Sequence, residues 1–98
     1  MKTFILMTKL SSEMTTKMKD RSKIGREWLD HVKEKCPEVK FTAHYAILGQ
    51  FDFLDIYEAP NDETAAMVSL ISRSDGAIEA QSLSAIPYKQ FLEMTEKL

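Results

Sequence analysis

The sequence predicts an α+β domain whose elements follow the order β-α-β-β-α-β, with a short helix after the last strand. Three observations lead there. Apolar residues recur at three- and four-residue steps through Thr15–Lys35 and again after Asn61, the period of a one-sided helix. They alternate or run continuously through Thr3–Leu10, Val39–Leu48, Phe51–Glu58 and Ala77–Ile86, as strands do. Turn-forming residues fall between these runs, and 98 residues suit one domain spanning 1–98.

Each element has its own warrant. Phe4, Ile5, Leu6 and Met7 are consecutive, so the first strand reads as covered on both faces. Ser11-Ser12-Glu13 then offers hydroxyls that can cap a helix start. In the first helix Met14, Met18, Gly25, Trp28, Leu29, Val32 and Cys36 form the apolar stripe, interrupted by a polar gap at Arg21-Ser22. Pro37 ends it, because the residue before proline avoids the α region. Val39, Phe41, Ala43, Tyr45 and Ile47 alternate with Lys40, Thr42, His44, Ala46 and Leu48. Gly49-Gln50 is the turn to the third strand, and the two strands read as a hairpin. Asn61 is a good N-cap, with Asp62 and Glu63 at the positive end of the helix dipole. The second helix carries Ala66, Met67, Leu70 and Ile71 and breaks at Ser74-Asp75-Gly76. Pro87 closes the fourth strand, and Tyr88, Phe91, Leu92 and Met94 mark the final helix.

Composition removes several function classes. Thirteen basic and fifteen acidic residues give a net charge of −2, which excludes a strongly basic nucleic-acid binder. The single Cys36 allows no internal disulfide and no cysteine-rich zinc site. The apolar run after Met1-Lys2 stops at Thr8-Lys9, too short for a secretion signal, and no run approaches the ~18–20 apolar residues of a membrane span. The expected setting is cytoplasmic, with no membrane and no nucleic-acid partner.

The element order is the split βαβ, or ferredoxin-like, arrangement: a four-stranded antiparallel sheet with both helices on one face. Strands one and three have apolar residues of both parities, so the helix-free face is also apolar. An exposed patch of that kind predicts association of sheet on sheet. The expected partner is a second copy, a homodimer through the helix-free face, with a higher oligomer as an extension of the same contact.

Leu48-Gly49-Gln50-Phe51-Asp52-Phe53, followed by Tyr57-Glu58-Ala59-Pro60-Asn61-Asp62-Glu63, resembles the GYD family, named for a Gly-x-Tyr-Asp signature. The resemblance runs from the Phe4-Ile5-Leu6 strand to the last helix, with Gly76 and Ser82-Leu83-Ser84-Ala85 placed at the final strand. It implies a protomer of the dimeric α/β-barrel type and implies no activity. Phe51 stands where the signature has tyrosine, Cys36-Pro37 where Gly-Gly is typical, and Glu79 where a basic residue is frequent.

Among titratable residues His44 leads. A two-residue turn at Gly49-Gln50 pairs His44 with Asp55, and such a pair could orient the imidazole as a general base. A three-residue turn pairs His44 with Leu54 instead, and the slip destroys the dyad. His44, Asp55 and the neighbouring Tyr45 are the catalytic candidates. Asp52 and Gln50 are the ligand-binding candidates, although acceptance of hairpin N–H groups is the leading reading of the Asp52 carboxylate. Gly49 needs only a turn with positive φ. Cys36 lies at a helix C-terminus, where the dipole disfavours a thiolate, and His31, His44 and Cys36 lack metal-ligand spacing. Trp28, Met14 and Met18 read as core. Arg21, Lys23 and Arg26 form a basic cluster, by default solvated, otherwise an anion contact. No metal and no cofactor is expected.

Three functions compete. The leading one is a homo-oligomeric module that binds a small ligand or a partner. The alternative is a cofactor-free enzyme, oxygenase- or isomerase-like, acting on a small apolar substrate with His44 as base. The third is an effector-sensing domain acting through a partner.

Overall fold

The structure, a computed structural model, describes residues 1–98. Strand β1 (Lys2–Leu10) lies inside a four-stranded sheet of order β2-β3-β1-β4, where β2 is Lys40–Ala46, β3 is Phe53–Ala59 and β4 is Ala77–Ala85. All three pairings are antiparallel. Helices α2 (Arg21–Lys35) and α3 (Asp62–Ser74) share one face of the sheet. Their Val32, Ala65, Val68 and Ile71 close on Phe4, Leu6 and Tyr57 to make the core. Full burial of side chains such as Leu6 and Val68 contributes about 1.5–3 kcal/mol each. This is the expected α+β, split βαβ architecture.

The first helical stretch is broken, not continuous. A single turn, α1 (Ser12–Thr15), is followed by a 3₁₀ turn at Met18–Asp20 before α2 begins at Arg21. The cause is local: the Thr15 and Thr16 hydroxyls donate back to the Ser12 and Glu13 carbonyls, a competing bond that frays a helix end. Met18 is therefore exposed, whereas Met14 packs against Gly76. Helix α3 is rotated from its expected face. It buries Ala65, Val68, Ile71 and Ser72 and leaves Met67 and Leu70 exposed. Small Ala65 permits the close approach to the sheet, and its carbonyl accepts from the Tyr57 and Ser82 hydroxyls.

Strand β2 departs from simple alternation. Phe41 registers with Tyr57 but Ala43 with Ile56, so Thr42 is an inserted bulge residue. Phe41 and His44 consequently share the helix-facing side, their rings stacked with centroids 5.3 Å apart, where alternation places them on opposite faces. The register beyond the bulge pairs His44 with Asp55 and Tyr45 with Leu54. The connection is wider than a two-residue turn: its last bond runs from Ile47 N–H to the Asp52 carbonyl at 3.0 Å, and Gly49 in the loop has φ 122°.

The helix-free side carries Ile5, Met7, Ala43, Tyr45, Leu54, Ile56 and Leu83, as the registers require. The last helix, α4 (Tyr88–Thr95), buries no residue and exposes Tyr88, Phe91 and Leu92 along one stripe. The molecule measures 50 × 30 × 18 Å, and its radius of gyration is 14.6 Å. A compact chain of this length has about 13 Å. No helix is long and apolar enough to cross a membrane.

Candidate functional site

Where β1 and β2 end and β3 begins, the sheet and the first turns of α2 border a half-open cavity of about 380 Å³. Its wall from α2 is set by helical spacing: Arg21, Ile24 and Trp28 fall on one side of that helix. From the sheet come Phe53, Asp55 and His44.

Asp55 is the buried charge of this site, only 7% exposed. Its Oδ1 accepts from His44 Nδ1–H at 2.6 Å. Burial pushes the Asp55 carboxyl above its ordinary value, while the His44 bond and the charges of His44 and Arg21 pull it back. The bond to Asp55 sets the His44 tautomer and leaves Nε2 without a protein partner. Phe41 holds one side of the imidazole and is itself packed by Trp28 at 5.2 Å between centroids. The indole is pinned at its other end: Nε1–H donates to Ser72 Oγ at 2.9 Å, and Ser72 in turn donates to the Val68 carbonyl at 3.0 Å.

Arg21 lies over the Phe53 ring, 4.9 Å from its centroid, a cation–π contact. Burial lowers the affinity of its guanidinium for the proton, and the Asp55 charge opposes that. Neither Arg21 nor Arg26, which also lines the cavity, forms an ion pair. Asp75, at the far rim, is held by His31 Nδ1 at 3.0 Å, a contact that ties α2 to the end of α3.

The structure thus brings His44 and Asp55 together and separates the other candidates from them. Tyr45 registers with Leu54 on the helix-free side and is 58% exposed, across the sheet from the cavity. Asp52 is engaged in the backbone: its Oδ2 accepts from Leu10 N–H at 2.7 Å and its own N–H donates to the Thr8 carbonyl at 2.8 Å. That pins the hairpin loop to the end of β1, beside the bulge at Lys9/Leu10. Gln50 is exposed in the loop. His31 and His44 occupy separate carboxylates, and Cys36 sits in the core, where burial pushes its thiol up. The sequence marks Arg21, Lys23 and Arg26 as a basic cluster, solvated by default or else an anion contact, and does not place Arg21 and Arg26 in a cavity wall. It gave no signal for Ser72 and Asp75, whose roles arise from α2 and α3 meeting in space.

The β-α-β-β-α-β order and the four-stranded antiparallel sheet match the ferredoxin-like arrangement expected, and the GYD domain family matches residues 4–95. The chain belongs to the GYD domain family. A relative from Thermus thermophilus is 32% identical over 88 residues, 89% of this chain and 90% of the relative. That protein is named glutamine synthetase and cystathionine beta-lyase binding protein. No solved structure matches this chain. In this member of the family the signature tyrosine is replaced by Phe51, a half-buried residue just before Asp52, so the loop position carries no hydroxyl.

Proposed function

We propose that this GYD protein is a partner-binding module that acts as a homodimer, the two sheets packed through their helix-free faces. The observation that carries this reading is the pair of apolar surfaces that no element of the chain covers. One is the sheet face with Ile5, Met7, Leu54, Ile56 and Leu83, and the other is the α4 stripe of Tyr88, Phe91 and Leu92. A sheet face of this size is a patch that isolated chains avoid exposing. A two-fold contact buries the same patch on both copies at once. The net charge of −2 opposes such pairing only weakly. A higher oligomer would use α4 as a second contact. The lone buried Cys36 agrees with a cytoplasmic setting.

The partner class follows from the relative's name, which describes a protein that binds two metabolic enzymes. Light scattering tests the assembly: a species at twice 11.2 kDa is expected, and a mass of 11.2 kDa at all concentrations refutes it. Co-migration with purified glutamine synthetase or cystathionine beta-lyase on size exclusion tests the partner class, and absence of both complexes refutes it.

A second reading, a cofactor-free enzyme acting on a small apolar substrate, is favoured by one observation. His44 lines a largely apolar cavity with Nδ1 committed to a buried carboxylate and Nε2 unpartnered. That is the arrangement of an oriented general base. Its substrate proton would pass to Nε2, and Asp55 would stabilise the imidazolium so formed.

A further inference from the structure

We propose that the cavity beneath α2 is a binding site for a small aromatic carboxylate, its ring seated between Trp28, Leu29 and Phe53 and its carboxylate on Arg21. The inference stands apart from both readings above, since occupancy requires neither a second copy nor turnover.

The volume, about 380 Å³, lies in the range of small-molecule sites and suits one or two fused rings. The wall holds two arginines and two carboxylates, and their hydrogen-bonding groups are unequally used. Asp55 is bonded by His44, and Asp75 by His31. Arg21 is half-buried, has its Cζ 4.9 Å from the Phe53 ring centroid, and has neither an ion pair nor a side-chain hydrogen bond. A guanidinium held over a ring keeps its N–H donors, in the fork that fits a carboxylate. Arg26 adds a second unpaired positive charge at the same wall. Arg21 lies in the field of Asp55 but makes no hydrogen bond to it, so both arginines keep free N–H donors while both carboxylates already have a partner, and an anion finds donors here.

The rest of the wall favours an aromatic body over an aliphatic one. Trp28 is fixed at both ends, by Phe41 on its ring and Ser72 on its nitrogen, so it presents a rigid face that loses little entropy on binding. Phe53 adds a second aromatic ring to the wall, with Arg21 over it. Ile24 and Leu29 supply apolar sides without polar atoms to leave unsatisfied. A cationic ligand would meet Arg21 and Arg26 at this wall.

Nitrogen–proton correlation NMR on the full chain tests this with 2-naphthoate, its neutral amide, and 2-naphthylmethylamine as probes. The expected result is that naphthoate shifts the Trp28 indole signal and the amides of Arg21 and Phe53. It should bind about tenfold more tightly than the amide, the scale of one charge-assisted hydrogen bond. The amine should be weakest. Arg21→Met should reduce naphthoate to the level of the amide and leave the amide unchanged. Arg21→Lys, which keeps the charge, should retain a preference for naphthoate. Equal binding of naphthoate and amide by the native chain overturns the proposal without recourse to any variant. So does a set of shifts confined to the helix-free face or to α4, or an Arg21→Met chain that keeps full preference for the anion.

Discussion

His44 Nδ1 and Asp55 Oδ1 lie 2.6 Å apart across the β2–β3 ladder, and Asp55 makes this bond from a position only 7% exposed. The consequence is a carboxyl whose ionisation is opposed by burial more than it is favoured by its neighbours. Its value in the folded chain lies above the ordinary 3.8. In the window between 3.8 and that raised value the unfolded chain has released the proton and the folded chain still holds it. Stability from this group is therefore complete below 3.8 and is lost as pH rises through the folded value. Asp55→Asn keeps an oxygen that can accept from His44 Nδ1–H but cannot ionise. The expected outcome is that native stability, measured relative to the variant, falls across this window and is flat below it. Urea unfolding at a series of pH values checks it, and a difference that rises with pH contradicts the assignment.

How far that pair could be read in advance turns on two residues. Strand parity and the turn at Gly49 left two registers open, and the structure has the one that joins His44 to Asp55. Parity also put Phe41 on the opposite face from His44. Thr42 reverses that, because a bulge adds one residue to one strand only, so two positions three apart come to share a side. Nothing in Lys40–Ala46 announces the bulge, since Thr42 is an ordinary strand residue. The β-α-β-β-α-β order was legible because hydrophobic period and turn residues agree at each boundary. The phase of α3 was not. Met67 and Leu70 are more apolar than Ala65 and Ser72, but small residues are what let that helix reach Tyr57 and Trp28. Arg21 and Arg26 were legible as charges and not as a cavity wall, because their position depends on where α2 starts after the Thr15-Thr16 break.

Gly76 is a position where the backbone admits no other residue without cost. Its φ is 119°, and a β-carbon there would meet the side chain of Met14. Gly76→Ala should lose about 1–3 kcal/mol from backbone strain and a further amount from the contact. Met14→Ala in the same chain should recover the contact part and leave the strain, so the double variant is more stable than the two single losses imply. A double-mutant cycle by urea unfolding measures the difference. Strict additivity would mean that Met14 moves aside freely.

Tyr57 is fully buried, yet its hydroxyl is bonded, donating to Ser82 Oγ at 2.7 Å. Burial pushes the pKa of the phenol up, with the Ser82 bond opposing, so the hydroxyl stays protonated and acts as a donor. Tyr57→Phe removes that donor without opening a cavity. Ser82 keeps Ser69 at 2.8 Å, and the Ala65 carbonyl keeps Ser82, so no buried group is orphaned. The expected loss is about 1 kcal/mol, or about 4–8 °C in thermal midpoint for a domain of this size. A loss of several kcal/mol would show that the hydroxyl also maintains the α3 contact with the sheet.

Ile56 tests the proposed assembly most directly. It lies on the helix-free face between Ile5 of β1 and Ala43 of β2, at the middle of the sheet. In an isolated chain a lysine at this position keeps its stem on the apolar surface and its ammonium in water, so the fold is little affected. Between two packed sheets the same ammonium is taken out of water, and Glu58, two residues along the same face, offsets only part of a penalty of several kcal/mol per charge. Each two-fold contact would contain that charge twice. Ile56→Lys should therefore bring the scattering mass to 11.2 kDa while the circular dichroism of the chain stays unchanged. A variant that retains twice that mass places the contact elsewhere, with the Tyr88–Phe91–Leu92 stripe of α4 as the surface to substitute next.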